Sequence, residues 1–242
     1  MKPTVRVAFE SIRASSKILL SEQRRVASIN VDSKDKLKLS KRIEGISEEN
    51  LITSLQQKYP DHQFISEESL SHVDLTDEPT WVIDPLDGTH NYMSQLPFFT
   101  IAVAYYEKKR LCHGLIYAPM FDQLFYASKG EGAYLNQSRI RSIQKPSHLN
   151  VVMTNHISTD TYDFLNNSDG KFKIRQLGCA SLSYCFLAQG SAHLYVSNTP
   201  TIWDRSAGEL IATEAGAIVY EKNNFYAVGS SKSLSLLKHC SV

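Results

Sequence analysis

Apolar and small positions recur at helical spacing through the first twenty residues. Val5, Ala8, Ile12, Ser15, Leu19 and Leu20 fall near a 3.6-residue period, with Arg6, Glu10, Arg13 and Lys17 between them, and predict an amphipathic helix. The pattern then breaks. Ser33 to Arg42 sets Lys34, Lys36, Lys38, Lys41 and Arg42 around alternating Leu37 and Leu39, which reads as a mobile hairpin or an extended loop. Helical spacing returns from about Glu44 to Tyr59, with Ile43, Ile46, Leu51, Ile52 and Leu55 as buried positions, and Pro60 stops it.

Strand-like texture follows. Phe64-Ile65 is a short strand running into Ser66-Glu67-Glu68-Ser69, and Leu70 to Thr80 is polar and loop-like. Trp81-Val82-Ile83 is a strand that Asp84-Pro85 should end, because proline has no N–H to donate. Asp87-Gly88-Thr89 reads as a turn leading into a helix or an extended turn. Further strands are expected at Phe98–Tyr106, Leu111–Tyr117, Gln123–Ala127 and Ala133–Leu135, with a hairpin turn at Asn136-Gln137. Beyond Lys145-Pro146 strands alternate with helices: strands at 151–154, 174–177, 193–196, 217–220 and 226–229, helices at 181–189, 203–215 and 232–238. A β-rich first half and an alternating second half predict a layered α/β protein in two subdomains, 1–145 and 146–242.

Composition narrows the function classes. The 242 residues hold 26 Lys plus Arg against 25 Asp plus Glu, for a net charge of +1. No polybasic excess points to nucleic acid or an anionic membrane. Hydrophobic residues make up 42%, too many for a disordered chain. Cys112, Cys179, Cys185 and Cys240 form no CxxC pair and predict four thiols in a reducing compartment. The first segment carries charges where a signal peptide needs an apolar core, and the longest apolar run, Phe98–Tyr106, is too short to span a membrane. A soluble cytoplasmic protein is expected.

Three acidic clusters sit at predicted element ends: Glu67-Glu68, then Asp84-Pro85-Leu86-Asp87-Gly88-Thr89, then Trp203-Asp204. Asp84 and Asp87, three apart across a proline-fixed turn, can share one side with the Leu86 carbonyl between them. Oxygen-only donors of this kind suit a hard cation such as Mg²⁺. Gly88 permits close backbone approach, and Thr89 offers a hydroxyl and an N–H to a phosphate. Metal beside phosphate suggests phosphoryl transfer to water. Taken singly, each cluster has a plainer role. Asp-Pro-x-Asp-Gly is a common turn, Glu67-Glu68 a solvated pair and Asp204 a helix N-cap.

Together these residues carry a resemblance. Asp84-Pro85-Leu86-Asp87-Gly88-Thr89-His90-Asn91-Tyr92 is similar to the D-P-[IL]-D-G-T-x-N-[FY] signature of the inositol monophosphatase family. Ser66-Glu67-Glu68-Ser69, Lys129 to Asn136, Gly178-Cys179-Ala180-Ser181, Trp203 to Gly208 and Glu214-Ala215-Gly216 resemble its other motifs, in order, from about Lys58 to Tyr220. The resemblance implies a Mg²⁺-dependent, lithium-sensitive phosphomonoesterase. Its fold would be the α-β-α-β-α layered sandwich of the inositol monophosphatase and fructose bisphosphatase type, often dimeric. Glu67, Asp84 and the Leu86 carbonyl would hold one metal, Asp84, Asp87 and Asp204 a second, and Glu67 would help hold a third. Thr89 would activate water, the Gly88 and Thr89 amides would bind phosphate, and Gly178 and Ala180 would line the substrate pocket.

Two positions depart from the family pattern. Counting back from Lys58-Tyr59-Pro60 places Glu44 where the family carries the water-activating aspartate, so that role is kept with a longer side chain or lost. A glutamate in the first turn of a helix would also suit the macrodipole alone. Ser197 stands where sugar-phosphate members carry a substrate-facing carboxylate. Inositol phosphate, a sugar phosphate, a histidinol-phosphate-like ester and a 3′-phosphonucleotide therefore stay open as substrates. Thr199-Pro200-Thr201 is faintly nucleotide-phosphatase-like, and His90-Asn91-Tyr92 leans toward the inositol branch. Homodimerisation is expected, and nucleic acid is not expected as a partner. The basic run Lys34–Arg42 reads as a solvated face or as guidance for an anionic ligand. The alternative function is a regulatory or binding protein on the same fold with little or no turnover.

Overall fold

The computed structural model describes every residue except 29–32, 69–73, 146–149, 156, 168–171, 199, 223 and 238–242, and leaves aside the side chains of 27, 28, 33 and 34. The expectations for Ser69, Thr199 and Cys240, and for the end of the last helix at Lys238, fall outside the described residues. Helix α1 (Pro3–Ser28) buries Val5, Ala8, Ile12, Ser15 and Leu19, the face expected from their spacing. Helix α2 (Ser33–Gln56) corrects the sequence expectation of a hairpin or loop before Glu44. Ser40, Ile43, Ser47, Leu51 and Leu55 are all buried, so the helical period runs back through the basic segment, where a small serine takes the place of an apolar residue. Glu44 is consequently mid-helix, and the macrodipole explanation of it falls away. The two helices pack together and exchange hydroxyl contacts, Ser11 with Ser54 and Ser15 with Ser47, each at 2.8 Å.

The first sheet runs β1 (Gln63–Ser66), β2 (Thr80–Asp87), β3 (Thr100–Glu107), β4 (Arg110–Ala118), β5 (Gln123–Ser128), β6 (Gly132–Leu135) and β7 (Ser138–Ile140), in that order across the sheet. Only β1 and β2 are parallel. A short helix α3 (Thr89–Met93) follows β2. Pro85 does not end β2, against expectation. Asp84 pairs with Ala102 and Asp87 with Thr100, so β2 carries one extra residue there as a bulge. The β1 ladder has already stopped at Ile83, which leaves no partner on that side for the missing proline N–H.

The second sheet has the order β11 (Ile218–Lys222), β12 (Phe225–Gly229), β10 (Leu194–Asn198), β8 (Asn150–Thr154), β9 (Phe172–Gln176). Between its strands come α4 (Thr159–Asn166), α5 (Ala180–Ala188) and α6 (Ile202–Glu214), and α7 (Ser231–Ser235) follows β12. The sequence pattern missed α4, which Ser158 caps by accepting the Thr161 N–H, and the three-residue β7.

Alternation along the strands sorts side chains into four cores, and these define five layers. Trp81, Ile83, Ile101, Val103 and Leu115 face α1 and α2, whereas Val82, Ala102, Ala104 and Ile116 face α5 and α6. Tyr195, Tyr226 and Val228 meet the other side of α5 and α6. Leu194, Val196 and Ala227 face α4 and α7. The order is helix pair, sheet, helix pair, sheet, helix pair, the α-β-α-β-α sandwich expected. No helix among the described residues is long and apolar enough to cross a membrane. Cys112, Cys179 and Cys185 are free thiols.

Helix α6 can lie this close to the first sheet because Gly114 of β4 has no side chain. A Cβ there would sit 2.8 Å from the Ala207 carbonyl oxygen and 3.0 Å from its Cα. Gly114→Ala should therefore destabilise the protein by about 1–3 kcal/mol. Gly45→Ala, in α2 with nothing within 4 Å of the new Cβ, should stabilise it by up to about 1 kcal/mol through helix propensity. Urea denaturation of the two variants checks the opposite signs.

Candidate active site

The parallel pair β1 and β2 delivers the acidic residues. Glu67 follows β1 directly, and Asp84, Leu86 and Asp87 line the bulged end of β2. Gly88 turns the chain into α3 with φ +92, in a place where a Cβ would lie 2.6 Å from the Phe98 carbonyl oxygen. That combination admits only glycine. Thr89 opens α3. Its hydroxyl donates to Glu44 Oε1 in a short hydrogen bond and lies 3.1 Å from the Leu86 carbonyl oxygen. Helix α2 is held over the motif at a second point, where Ser47 Oγ donates to the Pro85 carbonyl at 2.8 Å.

Two further helices bring their first turns to the same place. Asp87 accepts the Ala180 N–H at 3.2 Å and the Ser181 N–H at 2.6 Å. It thus caps α5 from another element, whereas Cys179, the N-cap by position, makes no side-chain cap. Asp204 is the third residue of α6 and not its N-cap, which is Thr201; the Thr201 hydroxyl donates to Asp204 Oδ2 at 2.7 Å. Trp203 is half-buried against the core between the first sheet and α5 and α6.

Negative charge dominates this space. Burial pushes Asp84 well above its ordinary range, and Asp87, Glu67 and Asp204 push it further, against one opposing bond from the Leu86 N–H. Asp87 is raised by burial and by Asp204, with the Ser181 amide opposing. Glu67 keeps contact with solvent, yet lost hydration and the charges of Asp204, Glu44, Glu68 and Asp87 raise it to about 7. Glu44 is raised by burial, and the Thr89 hydroxyl works against that shift. An all-oxygen donor set with no cation of its own is chemically suited to hard divalent ions. Among the described residues, no group of three carboxylate, histidine or cysteine side chains is gathered tightly enough to hold one ion as it stands. An ion would have to draw these carboxylates in.

Beside Asp204 opens a pocket of about 340 Å³ lined by Asn155, Ala180, Tyr195, Ser197, Asn198, Pro200, Thr201 and Asp204. Ala180 belongs to its wall, and Ser197 is buried there. Gly178 is not part of that lining. It is exposed with φ +69 beside Asn91, whose amide donates to the Phe98 and Leu177 carbonyls at 2.8 and 2.7 Å and ties α3 to the start of α5. The sequence pattern missed Tyr195 and Asn155 and read Thr201 only as part of a faintly nucleotide-phosphatase-like stretch. Thr201 had a signal, the T-x-x-D spacing of a capping box, whereas the other two are strand-end residues with no local motif.

The profile of the inositol monophosphatase family matches residues 1–229. The chain is 31% identical over 242 residues to Nus factor SuhB of Pasteurella multocida (strain Pm70), covering 97% of this chain and 91% of that protein. It is 33% identical over 187 residues to inositol monophosphatase 1 of Homo sapiens, covering 72% and 68%. Among solved structures, an IMPase from Thermotoga maritima superposes with a TM-score of 0.81 at 25% identity, over 94% of this chain and 92% of the other. Extragenic suppressor protein suhB of Bartonella henselae shares the fold at a TM-score of 0.85 and 23% identity, over 99% and 100%.

The raised carboxylates set a pH dependence. Free of cations, the folded chain holds more protons than the unfolded one between about pH 4.5 and pH 7, so this contribution to stability falls as pH rises through that window. Glu67→Gln should melt close to wild type at pH 5 and above it at pH 8, both measured in chelator by differential scanning calorimetry. An equal gap at both pH values refutes the charge assignment.

Proposed function

The chain belongs to the inositol monophosphatase family, and on that premise we propose that it hydrolyses a small phosphomonoester with Mg²⁺, water being the nucleophile. Phosphomonoesterase activity and a general dependence on metal are family properties. The observation that carries the reading for this chain is the Thr89–Glu44 hydrogen bond beside converging carboxylates. Glu67, Asp84, the Leu86 carbonyl, Asp87 and Asp204 would hold Mg²⁺, with Glu67 serving a third ion as well. Bound there, Mg²⁺ supplies the positive charge that phosphoryl oxygens and a departing alkoxide require.

The chain's own groups then have defined tasks. Thr89 spends its one proton toward Glu44, so its lone pairs face outward to accept a hydrogen from the attacking water. As the water oxygen bonds to phosphorus, its proton passes to Thr89 and the Thr89 proton to Glu44. The phosphorus–oxygen ester bond breaks, the alkoxide takes a proton from a solvent water to leave as an alcohol, and Glu44 returns its proton to solvent. Glu44 suits this relay because burial brings it nearer to neutrality than an ordinary glutamate. Phosphate oxygens would be received by the Gly88 and Thr89 amides, and Ala180 stands on the leaving-group side. The pocket beyond, faced by the polar side chains of Asn155, Tyr195, Ser197, Asn198 and Thr201 together with the Asp204 carboxylate, suits a hydroxyl-rich alcohol such as an inositol or a sugar. The reading keeps the homodimer expected from the resemblance and the cytoplasmic setting expected from the composition.

One observation favours a second reading. The relative named Nus factor SuhB matches along nearly the whole chain, which supports a regulatory role through protein or nucleic-acid contacts. The test is phosphate release from a panel of monoesters. Wild type should require Mg²⁺, and Glu44→Gln should lower kcat about 10²–10⁴-fold with KM little changed and Glu44→Asp retaining part of the rate. Undiminished turnover in Glu44→Gln removes the relay. No release by wild type from any ester removes the phosphatase reading and leaves the regulatory one.

A further inference from the structure

The basic start of α2 plays no part in the chemistry above. Between Glu22 and Arg42 the chain carries seven Lys or Arg against three Asp or Glu, in a protein whose total is only +1, so the remaining residues are net negative. Lys36, Leu37 and Lys38 are exposed in succession, which leaves no buried face on that turn of the helix. Leu37 is 61% accessible. The turn therefore stands clear of the layers. Its charges are not consumed locally: among the described residues, Lys36, Lys38, Lys41 and Arg42 form only the loose Lys38–Asp35 pair, at 4.0 Å between exposed side chains. The helix then runs straight into the site. Lys41 lies one turn before Glu44 on the same helical face, and its charge acts on Glu44. Lys36 is about 12 Å from Glu44 along the axis at 1.5 Å per residue.

We propose that Lys36, Lys38, Lys41 and Arg42 form an anion-collecting rim that draws the substrate's phosphate toward the Thr89–Glu44 pair, with Lys41 as its innermost member. The inference rests on the phosphatase reading and names what brings the substrate in. Carboxylates at the site repel a phosphate dianion, and that repulsion reaches outward about as far as the Debye length, near 10 Å at 0.1 M salt. A cationic rim at that same distance cancels it on approach. Exposed lysines on an unsupported helical turn stay mobile and hydrated, so they attract the anion without trapping it.

The test uses the full chain with Mg²⁺. Lys36→Glu/Lys38→Glu and, separately, Lys41→Gln are assayed against a hydrolysed monoester across a salt series. Lys108→Glu/Lys109→Glu, in the distant turn between β3 and β4, repeats the same change in net charge. At low salt the double rim variant should raise KM roughly tenfold with kcat within about twofold, and the gap should close to under about twofold near 0.5 M NaCl. Lys41→Gln should show a smaller effect of the same form, and the turn variant none. Calorimetric titration with inorganic phosphate should weaken in parallel. That titration decides the rim even if wild type releases phosphate from no ester, an outcome that would sink the phosphatase reading alone. Identical salt dependence in rim variants and wild type overturns the proposal. So does a rim variant that loses single-stranded RNA binding while its phosphate affinity stays unchanged, because the basic face would then serve nucleic acid.

Discussion

Burying two aspartates side by side is the constraint around which this molecule is organised. Asp84 and Asp87 are 1% and 8% accessible; burial raises the affinity of both for a proton or an equivalent positive charge, and Asp87 raises that of Asp84 further. Uncompensated, such a pair would be neutralised or expelled. The fold answers with main-chain donors: the Leu86 amide for Asp84, and the first amides of α5 for Asp87. The latter also place the positive end of a helix dipole at the carboxylate. These contacts position the oxygens but do not cancel the charge. The remaining demand for a cation is a property of the fold, and under the phosphatase reading it accounts for a phosphate site built from acids.

Holding that arrangement needs a rigid β2. The strand is buried along its whole length, and its far end is anchored by aromatic packing. The Trp81 indole donates to His62 Nδ1 at 3.0 Å. His62 is stacked between Tyr59 and Tyr105, with ring centres 4.7 and 5.5 Å away. An indole can only donate, so His62 must stay neutral on that nitrogen, and burial lowers its pKa in the required direction. The bulge at Pro85 then turns the near end of the strand toward the helices. One strand thus carries a fixed apolar end and a functional end, and the bulge separates the two.

Much of this was legible in the sequence, and the failures share a cause. Alternation located the central strands correctly because each faces two different cores, as Val82 and Ile83 do. The Asp-Pro-Leu-Asp-Gly-Thr stretch showed its place because its chemistry is local. Other motifs were visible while their purpose was not. Glu214 proves to hold the Gly130 and Gly132 amides of the β5–β6 turn at 2.8 Å each, a structural clamp. The start of α2 was misplaced because buried Ser40 carries no hydrophobic signal. Asp87 as the cap of α5 joins residues more than ninety apart, and no window on the sequence contains both.

Glu44 shows how the two levels combine. Its alignment position made it a candidate, but a longer side chain in place of aspartate left the role open. The structure supplies the missing geometry, since α2 is a continuous helix pinned at Ser47 to the Pro85 carbonyl. That pin fixes the helix over the motif, and the extra methylene of Glu44 spans the distance left to Thr89. Continuity of α2 has a second effect. It makes the basic overhang an extension of the element that carries Glu44, so the exposed lysines and the site lie along one helix. Overall neutrality therefore conceals an ordered separation of charge, negative at the ends of β1 and β2 and positive along the exposed start of α2. A phosphate entering from solvent would meet the positive arm before the negative floor, and the floor becomes attractive only when cations fill it.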